Sequence, residues 1–368
     1  MKKKLSDFIV KKEFWVLIII CLLLVLDFAI RRAPDNKVLC NGLFTVEPRY
    51  VDFDTTDYGY AALRSDGTID TYNLDEEFGP DIVKQIEAWE NIVDIECTQY
   101  NVFALKKDGT VVSTHADMGS DLWADWKNIV DIEAAPHQTV GLRKDGTVML
   151  LEEHYTHEYG SRPDSWENVV SLSTSGCSNG DYVFALHKDG SMSCSYEPYP
   201  TGSYETMFTS GKKVSSIASS GWLHLAVAED GTVSGGGEDY VEEIYNDVKE
   251  WTNIDRAFPG TYFALGLKKD GTVVSASINQ PNPVISEWEN VTQLYVSNYT
   301  NYVIAILDNN TVCVANGAGT SRMSFDASGW HDIVKLERIG VLDESCYYAV
   351  GLRDDGELLM LQLPVLAD

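Results

Sequence analysis

The sequence predicts an all-β fold, a β-propeller of eight short blades preceded by one N-terminal transmembrane helix. Three observations predict it. A hairpin turn of Asp-Gly type recurs about every 40 residues, a Trp-x-Asn-Ile/Val-Val segment stands upstream of most copies, and no helical periodicity separates the copies. Units of this length built only of strands suit radial stacking, in which each small sheet covers its neighbour.

The turn comes first in the argument. Its glycines are Gly67, Gly109, Gly146, Gly190, Gly231, Gly271 and Gly356, with Asn310 in the seventh of eight copies, at spacings of 37 to 46 residues. Asp-Gly between apolar runs predicts a two-residue hairpin of type I′, whose central residues both need positive φ. Asp308-Asn309-Asn310-Thr311 departs from Asp-Gly but keeps residues that tolerate the left-handed region.

The strand before the turn is a continuous apolar run, as in Val102-Phe103-Ala104-Leu105 and Tyr262-Phe263-Ala264-Leu265. A strand of that kind has to be covered on both faces. Upstream lies a second strand, opened by Trp89-Glu90-Asn91-Ile92-Val93-Asp94-Ile95, Trp126-Lys127-Asn128-Ile129-Val130-Asp131-Ile132 and Trp166-Glu167-Asn168-Val169-Val170-Ser171-Leu172, with looser copies at Trp251, Trp288 and Trp330. The fifth unit keeps Lys213-Val214-Ser215-Ser216-Ile217 and the first Arg49-Tyr50-Val51-Asp52-Phe53. A third strand follows each turn. A Trp demanded by nearly every unit serves the packing of the unit. After the last turn only one strand's length remains, so residues 37–46 are expected to pair with the last blade and close the ring.

The Trp-x-Asn-Ile-Val…Ala-Leu-Lys-x-Asp-Gly-Thr-Val unit resembles the bacterial members of the regulator of chromosome condensation repeat family, over residues 49–368. That resemblance implies a propeller, of seven blades in the usual case; eight copies here favour eight. Many members carry Gly-x-x-His-Thr before the Ala-Leu strand. This chain mostly lacks it, and Gly221-Trp222-Leu223-His224 comes nearest.

The start of the chain is different in kind. Lys2, Lys3, Lys4, Lys11 and Lys12 precede an apolar stretch that runs from Phe14 to Ile30, broken by Asp27 and followed by Arg31 and Arg32. Residues 14–30 are long enough for a short spanning helix, an uncleaved signal anchor. The domain organisation expected is a basic cytoplasmic segment (1–13), the anchor (14–30), a linker with the ring-closing strand (31–48) and eight repeats (49–368). The basic excess before the helix places the propeller outside the cytoplasm in a single-pass cell-membrane protein. Secretion after cleavage and a cytosolic propeller are the alternatives.

The chain has 28 basic and 56 acidic side chains, which leaves 20 against 52 for residues 41–368, a net of −32. Phosphate backbones and anionic headgroups would be repelled, so nucleic acid is excluded as a partner. The partner expected is a protein or peptide, a basic one if charge decides.

Nine residues before each turn glycine, or before Asn310, stand Tyr58, Tyr100, His137, Asp181, Trp222, Tyr262, Asn301 and Tyr347. All fall where a loop enters the second strand, on one rim. Tyr58, Tyr100, His137, Trp222, Tyr262 and Tyr347 are the candidate partner-binding residues, since aromatic groups with polar tips concentrate at recognition surfaces. Packing between blades is the competing role. Tyr182, Phe263, Tyr302 and Tyr348 are expected to thicken the same zone.

No catalytic residues and no metal or cofactor are assigned. Asp52-x-Asp54-x-x-Asp57 offers oxygen ligands without a Ca²⁺-loop glycine. His154 and His157 lack a third ligand set by motif, and Gly235-Gly236-Gly237 opens no helix. Cys177 and Cys194 flank one hairpin, but buried thiols are the expectation for a domain of this size. The function expected is non-enzymatic binding of a protein or peptide through one rim. A surface enzyme acting on glycans through paired carboxylates and a structural envelope protein without a ligand are the alternatives.

Overall fold

The computed structural model describes residues 49–364, apart from 57–58, 115–122, 124, 136–137, 153–160, 178–179, 196–211, 221–222, 238–240, 279–282, 297–301, 310, 318–329 and 344–345. The expected anchor and the expected closing segment 37–46 lie outside the described residues. Among the described residues no helix is long and apolar enough to cross a membrane.

Twenty-four strands form eight antiparallel three-stranded sheets, each from consecutive strands. In order they are β1 (Tyr50–Thr55), β2 (Tyr60–Arg64) and β3 (Ile69–Tyr72); β4 (Ile92–Cys97), β5 (Val102–Lys106) and β6 (Val111–Ser113); β7 (Ile129–Ala135), β8 (Gln138–Arg143) and β9 (Val148–Glu152); β10 (Val169–Cys177), β11 (Gly180–His187) and β12 (Met192–Cys194). Then come β13 (Val214–Ser219), β14 (Leu223–Ala228) and β15 (Val233–Gly237); β16 (Ile254–Pro259), β17 (Phe263–Lys268) and β18 (Val273–Ser277); β19 (Val291–Val296), β20 (Tyr302–Leu307) and β21 (Val312–Asn316); β22 (Ile333–Asp343), β23 (Cys346–Arg353) and β24 (Leu358–Pro364).

One backbone bond recurs between neighbouring sheets. The Ile92 amide donates to the Gly67 carbonyl at 3.0 Å, Ile129 to Gly109 at 3.0 Å, Val169 to Gly146 at 3.0 Å, Val214 to Gly190 at 3.0 Å, Ile254 to Gly231 at 3.0 Å and Val291 to Gly271 at 2.9 Å. The same bond then joins the ends of the series: the Tyr50 amide donates to the Gly356 carbonyl at 3.3 Å. The sheets therefore close into a ring. Phe53 and Ala62 of the first sheet pack with Val350 and Leu352 of the last across that closing seam. This is an eight-bladed propeller.

The middle strands explain the burial. Val102 and Ala104 join a cluster with the first sheet, Ala61, Leu63 and Ile69, while Phe103 and Leu105 join one with the third, Trp126, Ile129 and Ile132. A strand that feeds clusters on both sides has to be apolar throughout. The repeated Trp residues close these clusters from the outer edge: Trp126 is 2% exposed and Trp166 5%. Trp126 lies over Gly141, Trp251 over Gly266 and Trp330 over Gly351, at distances that leave no room for a Cβ.

Two sequence expectations are corrected. The turn is not type I′, because only its glycine has positive φ, +80° at Gly109. Gly109 N donates to Lys106 O at 2.8 Å and Lys106 N to Thr110 O at 2.8 Å, a tight turn followed by a glycine bulge. The aspartate acts through its side chain: Asp108 Oδ1 accepts from Thr110 N at 3.0 Å and from its hydroxyl at 2.6 Å. Second, short helices do stand between some units, α1 (Asp75–Phe78), α2 (Pro80–Glu87) and α3 (Glu242–Val248), packed on the outer edge through Ile86, Ile244 and Val248. They bridge from a third strand to the next inward run and are too short to show a period.

Candidate functional site

The ring has two unlike ends. Hairpins lie at one, and at the other the loops from first to middle strand form the rim singled out above. Those loops share a design. Thr56 N donates to Gly59 O, Thr98 N to Asn101 O, Ser220 N to Leu223 O and Gly260 N to Phe263 O, at 2.8 to 2.9 Å. The Thr98 hydroxyl also accepts from the amides of Tyr100 at 3.2 Å and Asn101 at 3.0 Å, which fixes the loop that carries Tyr100.

Tyr100 is 53% exposed and Tyr262 47%, in equivalent loops four sheets apart around the ring. Tyr58, His137, Trp222 and Asn301 lie outside the described residues. Tyr347 begins β23 after Cys346, with its side chain outside the described set. Asp181, from the same register, is only 1% exposed, and the neighbours expected to thicken the rim are core: Tyr182 is 3% exposed, Phe263 0% and Tyr302 1%. The physical reason is the alternation of the middle strand, which turns these residues between blades one step after the loop ends.

His224 is core as well. Its Nδ1 lies 2.8 Å from the Ser219 hydroxyl, its ring packs against Tyr182 and Phe184, and burial pushes its pKa down to about 3. It is a neutral packing group and not a ligand at the rim.

The structure also assembles a group of residues that sequence reasoning did not bring together. The first strands are innermost: they touch one another from β22 through β1, β4, β7, β10, β13 and β16 to β19. Their alternate positions carry Asp52 and Asp54, Asp94 and Glu96, Asp131 and Glu133, and Lys335 and Glu337, in four consecutive sheets that include the closing seam. Seven carboxylates thus share one side of the axis with one lysine. The Lys335 ammonium donates to Asp52 Oδ1 at 2.5 Å and to the Phe53 carbonyl at 2.9 Å, and lies 3.8 Å from Glu337 Oε1. Asp54 Oδ2 accepts from the Cys97 amide of the next sheet at 2.5 Å.

Crowding shows in the proton affinities. Burial, then the charges of Asp131 and Asp94, pushes Glu133 up to about 8. Burial and Asp54 push Glu337 up to about 8 as well, against the pull of Lys335. Asp94 and Asp54 are raised to about 6, burial leading in both cases. Burial alone would lower the Lys335 pKa, but Glu337 and Asp52 outweigh it and raise it well above the ordinary value. The facing side of the axis has no such set: the corresponding positions are Ser171 and Ser173, Ser216 and Ala218, Arg256 and Phe258, Gln293 and Tyr295. The signal was present as Asp-x-Glu alternation in Asp94-Ile95-Glu96 and Asp131-Ile132-Glu133, but only ring closure shows that these strands face one axis.

Among the described residues no group of three or more His, Cys, Asp or Glu side chains is placed to hold a metal ion. Asp57, His154 and His157 lie outside the described set. Cys97 and Cys313 are free thiols and Cys194 is buried. The Cys177 side chain is outside the described set.

No protein-family model and no curated protein matches the chain. Solved structures do. The computationally designed Ika8 protein is 15% identical, with a TM-score of 0.51 over 86% of this chain and 97% of that one. The CRINKLY WD40 ectodomain of the Arabidopsis thaliana receptor kinase ACR4 is 15% identical, with a TM-score of 0.48 over 75% of this chain and 98% of its own. Prp20p from Saccharomyces cerevisiae, described with its binding to Gsp1p and histones, is 13% identical, with a TM-score of 0.43 over 76% of this chain and 84% of its own. At 15% identity the likeness to Ika8 speaks to fold alone.

Proposed function

We propose that the protein is a non-enzymatic binding propeller of the regulator of chromosome condensation repeat type, tethered at the cell membrane through residues 14–30 with its ring outside the cytoplasm. It takes a protein or peptide partner on the rim that carries Tyr100 and Tyr262. The observation that carries this reading is the exposure of both tyrosines on equivalent, hydrogen-bonded loops at the end of the ring toward which the carboxylate-bearing strands run. A rigid ring with ordered loops presents fixed side chains at little entropic cost. The acidic axis selects against phosphate-rich ligands and favours a cationic partner.

The test is a crosslinked pull-down from intact cells with the full chain, compared with the Tyr100→Ala, Tyr262→Ala double variant. The variant should lose captured partners while its thermal unfolding is unchanged. The same captured set from a folded variant would remove the rim from the account. Protease protection of the ring in sealed cells would remove the outward orientation.

One observation favours a second reading. A carboxyl group raised to about 8, such as Glu133 or Glu337, meets one requirement of a glycosidase general acid. Release of reducing sugars from envelope glycans, abolished by Glu133→Gln or Glu337→Gln, would establish that reading in place of the first.

A further inference from the structure

The first strand of every sheet begins with a bulge, and the extra residue of that bulge differs around the ring in a telling way. The register slips between Tyr50 and Asp52, Ile92 and Asp94, Ile129 and Asp131, Val169 and Ser171, Val214 and Ser216, Ile254 and Arg256, Val291 and Gln293, and Ile333 and Lys335. The residue inserted is Val51, Val93, Val130, Val170 and Val334 in five sheets that are consecutive across the closing seam. In the other three it is Ser215, Asp255 and Thr292. All five valines are exposed, from 43% to 52%. The bulge itself does not require valine, since serine, aspartate and threonine serve in the remaining sheets.

Val51, Val93, Val130 and Val334 stand in the four sheets that carry the carboxylates, and Val170 in the next sheet, beside Ser171. Asp52, Asp94, Asp131 and Lys335 follow one residue after a valine, and Asp54, Glu96, Glu133 and Glu337 follow three residues after. One side of the axial opening is therefore an apolar arc near the hairpin end that leads onto acid toward the rim. A second copy of the chain is a poor occupant: five half-exposed valines are a small part of the roughly 800 Å² per partner that a stable dimer buries. A bilayer surface is a poor one too, because residues 41–368 carry a net −32 and anionic headgroups would be repelled. Charge complementarity points instead to a narrow cationic chain. Strand residues advance about 3.3 Å each, so the valine arc and the outer carboxylates lie roughly 7–10 Å apart, two or three residues of an extended peptide.

We propose that the valine arc seats an extended peptide segment that bears an apolar side chain and, two or three residues further on, a lysine or arginine that reaches the axial carboxylates. This rests on the reading of the protein as a binding propeller, and names the partner's chemistry at the axis and not at the tyrosine rim.

The full chain in lipid nanodiscs, with empty nanodiscs as the blank, is titrated against fluorescein-labelled peptides of repeating Leu-Ser-Lys-Ser, Ser-Ser-Lys-Ser and Leu-Ser-Glu-Ser, read by anisotropy. The Leu/Lys peptide should bind at least tenfold more tightly than either control. Val93→Thr with Val130→Thr should bring it to the level of the Ser/Lys peptide; threonine already fills this bulge at Thr292, so the ring is expected to fold. With the titration run at pH 9, where Glu133 is ionised and lysine still protonated, Glu96→Gln with Glu133→Gln should erase the preference for the Leu/Lys over the Leu/Glu peptide. The Tyr100→Ala, Tyr262→Ala variant should bind the Leu/Lys peptide as the parent does, which separates this site from the rim. No binding, equal binding of the Leu/Lys and Ser/Lys peptides, or Leu/Lys binding that survives both the valine and the glutamate pairs in variants with parental urea midpoints would overturn the proposal.

Discussion

Asn128 shows how much of this fold is decided one residue at a time. It sits at φ 59°, and Asn91, Asn168, Asn253 and Asn290 repeat that conformation within 63°. In this region the residue turns the inward run into the first strand, while the Asn128 carbonyl accepts from Lys144 N at 2.9 Å. Asn128→Ala should cost about 1–2 kcal/mol in urea unfolding, the strain of a Cβ-bearing residue without a stabilising side chain in the left-handed region. Trp126→Ala should cost more, about 3–5 kcal/mol, because it empties a cluster between two sheets. The axial glutamates work in the other direction. Glu133 and Glu337 hold their protons up to about pH 8 when folded, against an ordinary value near 4.3 when unfolded. A proton bound more tightly by the folded state stabilises fully below the unfolded pKa, and that stability is lost as pH rises through the folded one. Thermal midpoints should therefore fall between about pH 5 and 8.5. Glu133→Gln with Glu337→Gln should flatten that slope and stabilise by on the order of 1–2 kcal/mol at pH 8, the discounted equivalent of the shift. A variant with the parental slope would show that other groups set it. The turn aspartates oppose this at the acid end: Asp108, Asp145, Asp189 and Asp270 are held below the ordinary value, first by their Thr or Ser hydroxyls, so their contribution is lost as pH falls.

At the scale of the element, the middle strand reveals a rule that runs through all eight sheets. The residue opposite the centre of the first strand is small in every case: Ala62, Ala104, Gly141, Ala185, Ala226, Gly266, Ala305 and Gly351. Where it is glycine, a tryptophan ring fills the space. Gly266→Val should cost about 1–3 kcal/mol by overpacking against Trp251, and Gly266→Ala less, since alanine serves the same position beside Trp89. Strand order and apolar middle strands were legible in the sequence because each is a local pattern with a period. The turn type was not, because Asp-Gly suits both a mirror-image turn and a bulged one. The Thr that follows glycine was the discriminating residue, since it bonds the aspartate side chain and leaves the aspartate backbone at negative φ. The short helices escaped for a different reason: at four to eight residues, α1, α2 and α3 carry too few turns for a period to register.

For the whole molecule, the decisive contacts join residues about three hundred positions apart. Lys335 reaches Asp52 and Phe53 across the closing seam, and the Arg49 side chain donates to the Asp354 carbonyl at 3.3 Å. Lys335→Met should cost about 1–2 kcal/mol after allowance for its partial exposure, and more at pH 8 than at pH 5, because it leaves Asp52, Asp54 and Glu337 without a countercharge. Amide exchange at Tyr50 should speed up before that at Ile129 in this variant; equal acceleration at both would mean the seam is not where the ring opens. The axial site was out of reach of sequence reasoning for the same reason. Asp52 and Asp54 read as a local calcium-like run, whereas their true neighbours, Glu96 and Lys335, come from the second and last sheets. At the rim, the same register position is exposed in Tyr100 and Tyr262 and buried in Asp181, so the register alone does not decide between solvent and core.

No strand is shared between neighbouring sheets among the described residues, and the closing seam is built from the same glycine–amide contact as the six junctions from the first sheet to the seventh. A polypeptide assembled this way has no privileged first unit. Moving the termini to another junction, or duplicating one 40-residue module, alters the circumference without asking any existing module to learn a new contact, which gives a lineage of such chains a simple route to wider or narrower openings.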